Sequence, residues 1–106
     1  MFVIVMVLWL LNVAPVSVSV DKPRGLEPHS FTITVSYGED AREVCLFLED
    51  SGPHAMSRIS CWVPKLSRED VRFKDLRQGY YEIWAEIKAA VDGKVKRSSS
   101  VIVEVQ

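Results

Sequence analysis

Tyr80-Tyr81-Glu82-Ile83-Trp84-Ala85-Glu86-Ile87-Lys88-Ala89 decides the fold class, because its period is two. Tyr81, Ile83, Ala85, Ile87 and Ala89 fall on one face of an extended chain; Tyr80, Glu82, Trp84, Glu86 and Lys88 fall on the other. Asp92-Gly93 follows as a hairpin signal, and Val101, Val103 and Val105 resume the alternation. Register decides the loop. A two-residue loop would set Val101 opposite Trp84 and Val103 opposite Glu82. A three-residue loop, Asp92-Gly93-Lys94, sets Val101 opposite Ala85, Val103 opposite Ile83 and Val105 opposite Tyr81. Only the longer loop keeps both apolar sets on one face, so it is expected, with Gly93 or its neighbour in the left-handed region.

Upstream the same period recurs. Phe31, Ile33, Val35 and Tyr37 alternate with Thr32, Thr34 and Ser36 as a half-buried strand, and Gly38-Glu39-Asp40 turns the chain. Glu43 to Glu49 reads as a second strand, apolar on both faces at Val44-Cys45-Leu46-Phe47-Leu48 and therefore central. Asp50-Ser51-Gly52-Pro53-His54 is a dense turn cluster, and Arg58 to Val63 a third strand stopped by Pro64. Ser67-Arg68-Glu69-Asp70 has the pattern of a capped single helical turn, with Val71 and Phe73 in a short fourth strand. Five to seven short strands without a long helix predict an all-β, antiparallel β-sandwich.

At 106 residues the chain fits one domain. Its 13 basic against 14 acidic side chains exclude the broad basic face of a nucleic-acid binder. None of those charges falls in the first 20 residues. The unbroken apolar run Phe2 to Leu11 has the length of a signal-peptide core and falls short of the roughly 20 residues of a spanning helix. Ser17 and Ser19 supply small side chains for cleavage before Val20, although the segment lacks the usual Lys or Arg ahead of its apolar core. Three readings stand: a cleaved signal, an uncleaved membrane anchor, or native strands over residues 2–11 and Val16-Ser17-Val18-Ser19-Val20. The first two give residues 1–19 as a signal peptide or anchor, residues 20–106 as the domain, and a secreted, luminal or membrane-anchored protein.

Gly79-Tyr80-Tyr81-Glu82-Ile83 resembles the G-x-Y-x-C segment of immunoglobulin domains, with Ile83 in the cysteine place. Leu76, Gly79 and Tyr81 also resemble the L-x-x-G…Y run of fibronectin type III domains, although Arg77 replaces the usual acid. The resemblance covers Val16 to Gln106 at the level of fold. It implies an immunoglobulin-like sandwich of about seven strands, in which Tyr81 is the tyrosine-corner residue with its hydroxyl bonded to nearby backbone. Cys45 and Trp62 match the immunoglobulin cysteine and core tryptophan in kind, but no cysteine stands where the inter-sheet bridge needs its second partner. The Gly79…Ile83…Ala85, Asp92-Gly93 and Val101-Ile102-Val103 run is also similar to small sandwich modules attached to secretory-pathway glycosyltransferases and glycosidases.

Cys45 and Cys61 admit two arrangements. In a direct hairpin around Pro53 they lie opposite each other, with Phe47 facing Ile59, at a Cα separation of about 4.5–5.5 Å that a bridge can span. In opposite sheets, Cys45 faces Trp62 across the core and Cys61 points outward, unbridged. Two cysteines without a C-x-x-C pair or a neighbouring histidine do not make a metal site.

Catalytic chemistry is not expected. His29 beside Pro28 and His54 beside Pro53 read as solvated loop residues. Glu49-Asp50 and Glu69-Asp70 are adjacent, so on a strand their carboxylates point to opposite faces. Neither a Gly-rich phosphate loop nor another cofactor signature occurs. Tyr80, Trp84 and Trp62 are the candidate binding surface, for a protein or carbohydrate partner; the competing reading places these rings in the core or under a neighbouring domain. Two functions follow. One is a non-catalytic accessory or stalk module of the secretory pathway, serving a catalytic region outside this chain. The other is a free-standing secreted or cell-surface immunoglobulin-like binding protein. A membrane is a partner only if the N-terminal segment is retained as an anchor.

Overall fold

The computed structural model describes residues 15–38, 41–50, 57–90 and 92–106. The apolar run Phe2 to Leu11, the turn at Glu39-Asp40, and His54 within the 51–56 turn cluster lie outside the described residues. The fold is all-β, with nine strands among the described residues rather than seven: β1 (Val16–Val20), β2 (Arg24–Gly25), β3 (His29–Tyr37), β4 (Ala41–Asp50), β5 (Ser57–Trp62), β6 (Arg68–Leu76), β7 (Gly79–Ala89), β8 (Val95–Arg97) and β9 (Val101–Val105). They form two packed sheets, β1-β3-β6 and β2-β9-β7-β4-β5, with β8 paired to β7. All pairings are antiparallel except the short β2–β9 contact.

Alternation places the core. Phe31, Ile33 and Val35 of β3 face Val44, Leu46 and Leu48 of β4, and Tyr81, Ile83 and Ala85 of β7, with Val103 and Val105 of β9 completing the layer. The serines and threonines between the β3 positions stay half-buried on the outer face. β4 is central, as its two-faced apolar run predicts, and pairs with both β5 and β7.

β1 is the smaller sheet's edge. Val16 is 1% exposed, and Val16 to Val20 pair with Tyr37 to Ile33. The expected domain start at Val20 therefore falls on the last residue of a strand that the sandwich uses. Beyond β1, Pro23 cannot donate to a ladder, and the chain crosses to the other sheet. There the Pro23 carbonyl accepts the Glu104 amide (2.8 Å), and the Gly25 carbonyl accepts that of Gln106 (2.9 Å). Gly25 is required by close approach, because a Cβ there would overlap the His29 ring. The Glu27–Pro28 peptide bond is cis.

Two local expectations are corrected. Ser67 to Asp70 does not form a helical turn: Arg68–Leu76 is a nine-residue strand along β3. The inward alternation of Glu69, Val71 and Phe73 outweighs the Ser-x-x-Asp capping pattern. The last hairpin is also paired differently, with Val101 opposite Ile83, Val103 opposite Tyr81 and Val105 opposite Gly79. The loop closes between Ala89 and Lys94, where the Ala89 amide donates to the Lys94 carbonyl at 2.9 Å. Gly93 occupies the left-handed region at φ 68°, as expected. Between β8 and β9 the chain then gains one residue on β7. Ser98 fills this bulge, buried, its Oγ accepting the Ala85 amide (2.9 Å) while its own amide donates to the Ala85 carbonyl (2.8 Å). Along β9 the shift from the expected register is two residues, so Val101, Val103 and Val105 keep their face.

Candidate functional site

The outer face of the larger sheet is the candidate surface. β4 sends Cys45, Phe47 and Glu49 outward, β5 sends Ser57, Ile59 and Cys61, and β7 sends Tyr80, Glu82, Trp84 and Glu86. Register aligns Ile59, Phe47 and Trp84 in one row across three strands, about 10 Å from end to end at the usual interstrand spacing. The next row holds Ser57, Glu49, Glu82 and Ile102.

Trp84 organises the row. Its ring stacks on Phe47 at 5.3 Å between centroids and 2° between planes, and the Arg97 guanidinium lies 4.3 Å from its centroid. Since β4 and β8 flank β7, phenyl and guanidinium close on the indole from its two sides. The indole N–H donates to Glu86 Oε2 at 3.2 Å, and Arg97 also reaches Glu82 Oε1 at 3.7 Å. Trp84 is thereby only 8% exposed although it points away from the core. Around it Ile59 (62%), Tyr80 (56%) and Ile102 (54%) are open to solvent. Tyr80 donates to Glu104 Oε1 at 3.3 Å, and Glu104 also pairs with Arg24 at 3.7 Å.

Of the three expected aromatics, Tyr80 and Trp84 share this face and Trp62 does not. Trp62 pairs with Val44, so it turns inward and packs against the core. Its indole N–H faces the Tyr37 hydroxyl, and neither atom makes a hydrogen bond of ordinary geometry. Phe47 and Ile59 were missed as surface residues, although period-two counting from buried Leu46 and Leu48 puts Phe47 outside.

The hairpin arrangement of the cysteines is the one observed. Cys45 lies opposite Cys61, Phe47 opposite Ile59, and the two thiols are joined in a disulfide on the outer face. His29 is corrected from a solvated loop residue to a buried one at the start of β3, 8% exposed. Its Nε2 lies 2.9 Å from the Lys22 carbonyl, and its ring tilts against Phe31 at 5.7 Å. That commits the imidazole to tying the start of β3 to the β1–β2 connection. Among the described residues no group of three or more His, Cys, Asp or Glu side chains is arranged to hold a metal ion.

Tyr81 forms the tyrosine corner: its ring is in the core and its hydroxyl donates to the Arg77 carbonyl at 2.6 Å. Burial raises its pKa above the usual value, and the Asp50 and Glu27 charges add to that. Tyr37 is raised too, first by burial, with the nearby Trp62 indole acting the other way. Below the ordinary tyrosine pKa of about 10 both states keep these protons, and the full stability is present. As pH climbs past that value the unfolded chain ionises first, so stability falls until the raised folded-state pKa is passed. A denaturant midpoint followed upward from pH 9 is therefore expected to drop, and to drop less in Tyr81→Phe; an unchanged slope in that variant would contradict the assignment. No protein-family model matches the chain, and no curated protein matches it.

Proposed function

We propose that the chain is a non-catalytic β-sandwich module of the secretory pathway that docks, through the outer face of its larger sheet, onto a catalytic region outside this chain. The observation that carries the reading is that face itself. A tryptophan is fixed between a phenyl ring and a guanidinium, and exposed Ile59, Tyr80 and Ile102 surround it. Exposed apolar side chains set around a rigid aromatic centre are what protein interfaces bury. The disulfide is compatible with an oxidising compartment, which supports a luminal or secreted location. The tyrosine corner supports the likeness to immunoglobulin and fibronectin type III sandwiches.

The buried Val16 bears on processing. A cut before Val20 would remove most of β1 and uncover the edge of β3. The mature chain on this reading begins ahead of Val16.

A photo-reactive residue at Ile102, in protein expressed with its N-terminal segment in a eukaryotic secretory host, tests both points. Cross-linking to a glycan-processing enzyme of the secretory pathway, from a chain whose terminus precedes Val16, is the expected result. A cross-link to a cell-surface receptor would favour the free-standing binding protein. Full-length chain recovered from the cytosol with free thiols would overturn the compartment.

A further inference from the structure

We propose that β5 is a strand-addition edge, and that its occupant is a second copy of this chain, paired antiparallel about a twofold axis at Ser60. This does not depend on the docking role of the outer face.

The ladder shows which backbone groups are on offer. Cys45 and Cys61 lie 4.1 Å apart at Cα, the narrow spacing of a pair that exchanges no backbone hydrogen bonds. The β4–β5 bonds therefore run through the alternate pairs, Val44 with Trp62, Leu46 with Ser60 and Leu48 with Arg58. Ser57, Ile59 and Cys61 consequently aim their N–H and C=O groups away from β4. Among the described residues β4 is the only strand paired with β5, so this side is an open edge.

Natural edges are usually blunted by charge or proline. β6, an edge of the smaller sheet, follows that rule with Arg68, Glu69, Asp70, Arg72, Lys74 and Asp75 in nine residues. β1 carries no charge, but it is short and its outward side chains are serines. β5 has one charged residue, Arg58, and no proline, and it exposes Ile59 beside Val63, itself 71% exposed. The disulfide pins this edge to the sheet without covering it.

The edge is also complementary to itself. With Ser60 opposite Ser60 of the second copy, Ile59 meets Cys61 and Ser57 meets Val63, so outward N–H groups find outward carbonyls. Arg58 then stands opposite Trp62 of the second copy, a cation beside an indole, and no like charges are opposed. The row of Trp84, Phe47 and Ile59 would continue across the axis onto Cys61 and Cys45 of the second copy. A closed, isologous pair of this kind is the commonest way for a chain to assemble with itself.

Sedimentation of the oxidised chain across a broad concentration range provides the test. The expected result is a reversible monomer–dimer equilibrium, weakened about tenfold or more by Ile59→Pro. That substitution removes an outward N–H and leaves the β4–β5 bonds in place, which peptide mapping of the Cys45–Cys61 bridge verifies. Ile59→Lys is the companion should the proline disturb the strand. Ser60→Cys should yield a covalent dimer linked through residue 60 of both copies. A monomer at every concentration, a dimer indifferent to both Ile59 variants, or a dimer that never links through residue 60 would each overturn the proposal.

Discussion

Ile83→Ala is expected to cost about 2–5 kcal/mol, as removal of a buried branched side chain does. Ile83 is fully buried on the central strand β7, between Leu48 of β4 and Val101 of β9, and a shortened side chain there leaves a void between three strands. Glu82→Ala, one residue away, should cost far less. Its carboxylate meets Arg97 at 3.7 Å and the Ser100 hydroxyl at 2.9 Å on the outer face. An exposed pair of that kind contributes about 0–1 kcal/mol. Parallel urea titrations decide: comparable losses from the two substitutions would mean that β7 presents its other face to the core.

The contrast between these neighbours also explains what was legible in the sequence. Faces were readable wherever one set of alternate residues is wholly apolar, as at Tyr81, Ile83 and Ala85, because a one-residue slip would turn that whole set to water. The cysteine pairing was readable as one of two arrangements, since a hairpin around Pro53 brings positions 45 and 61 together. Register between β7 and β9 was not, because it depends on a loop that closes at Ala89 and Lys94 and on one extra residue at Ser98 to Ser100, and a serine run looks alike in a bulge and in a loop. Val16-Ser17-Val18-Ser19-Val20 was ambiguous for a chemical reason: small residues between valines suit a cleavage site and a strand equally. β2 and β8 have two and three residues and carry no period of their own.

The candidate surface was half legible. Tyr80 and Trp84 are two positions of one alternating strand apart by an even number, so their common face follows from the period alone. Trp62 has no such guide, since Arg58-Ile59-Ser60-Cys61-Trp62 mixes polar and apolar residues on both faces of an edge strand. Its inward orientation is fixed instead by the partner, Val44, and hence by the β4–β5 register. The burial of Trp84 was out of reach for a similar reason. It depends on Phe47 and Arg97, which come from separate strands and meet the indole only once β4, β7 and β8 are aligned.

Replacing both cysteines, Cys45→Ala with Cys61→Ala, should lower stability by roughly 3 kcal/mol, the loop-closure value for a bridge spanning this many residues. The loss should not be spread evenly. Among the described residues β5 has β4 as its only strand neighbour, and of its six side chains Trp62 alone is more than lightly covered. Without the bridge, few buried contacts oppose local opening of that strand. The amides of Val44, Leu46 and Leu48 bond towards β5, whereas those of Cys45, Phe47 and Glu49 bond towards β7, by the same alternation of narrow and wide pairs. Hydrogen exchange in the double variant is therefore expected to quicken at positions 44, 46 and 48 and to leave 47 and 49 protected, so that one strand shows alternating fast and slow amides. Uniform acceleration along β4 would mean that the bridge stabilises the whole sandwich rather than its edge, and would place β5 within the cooperative core.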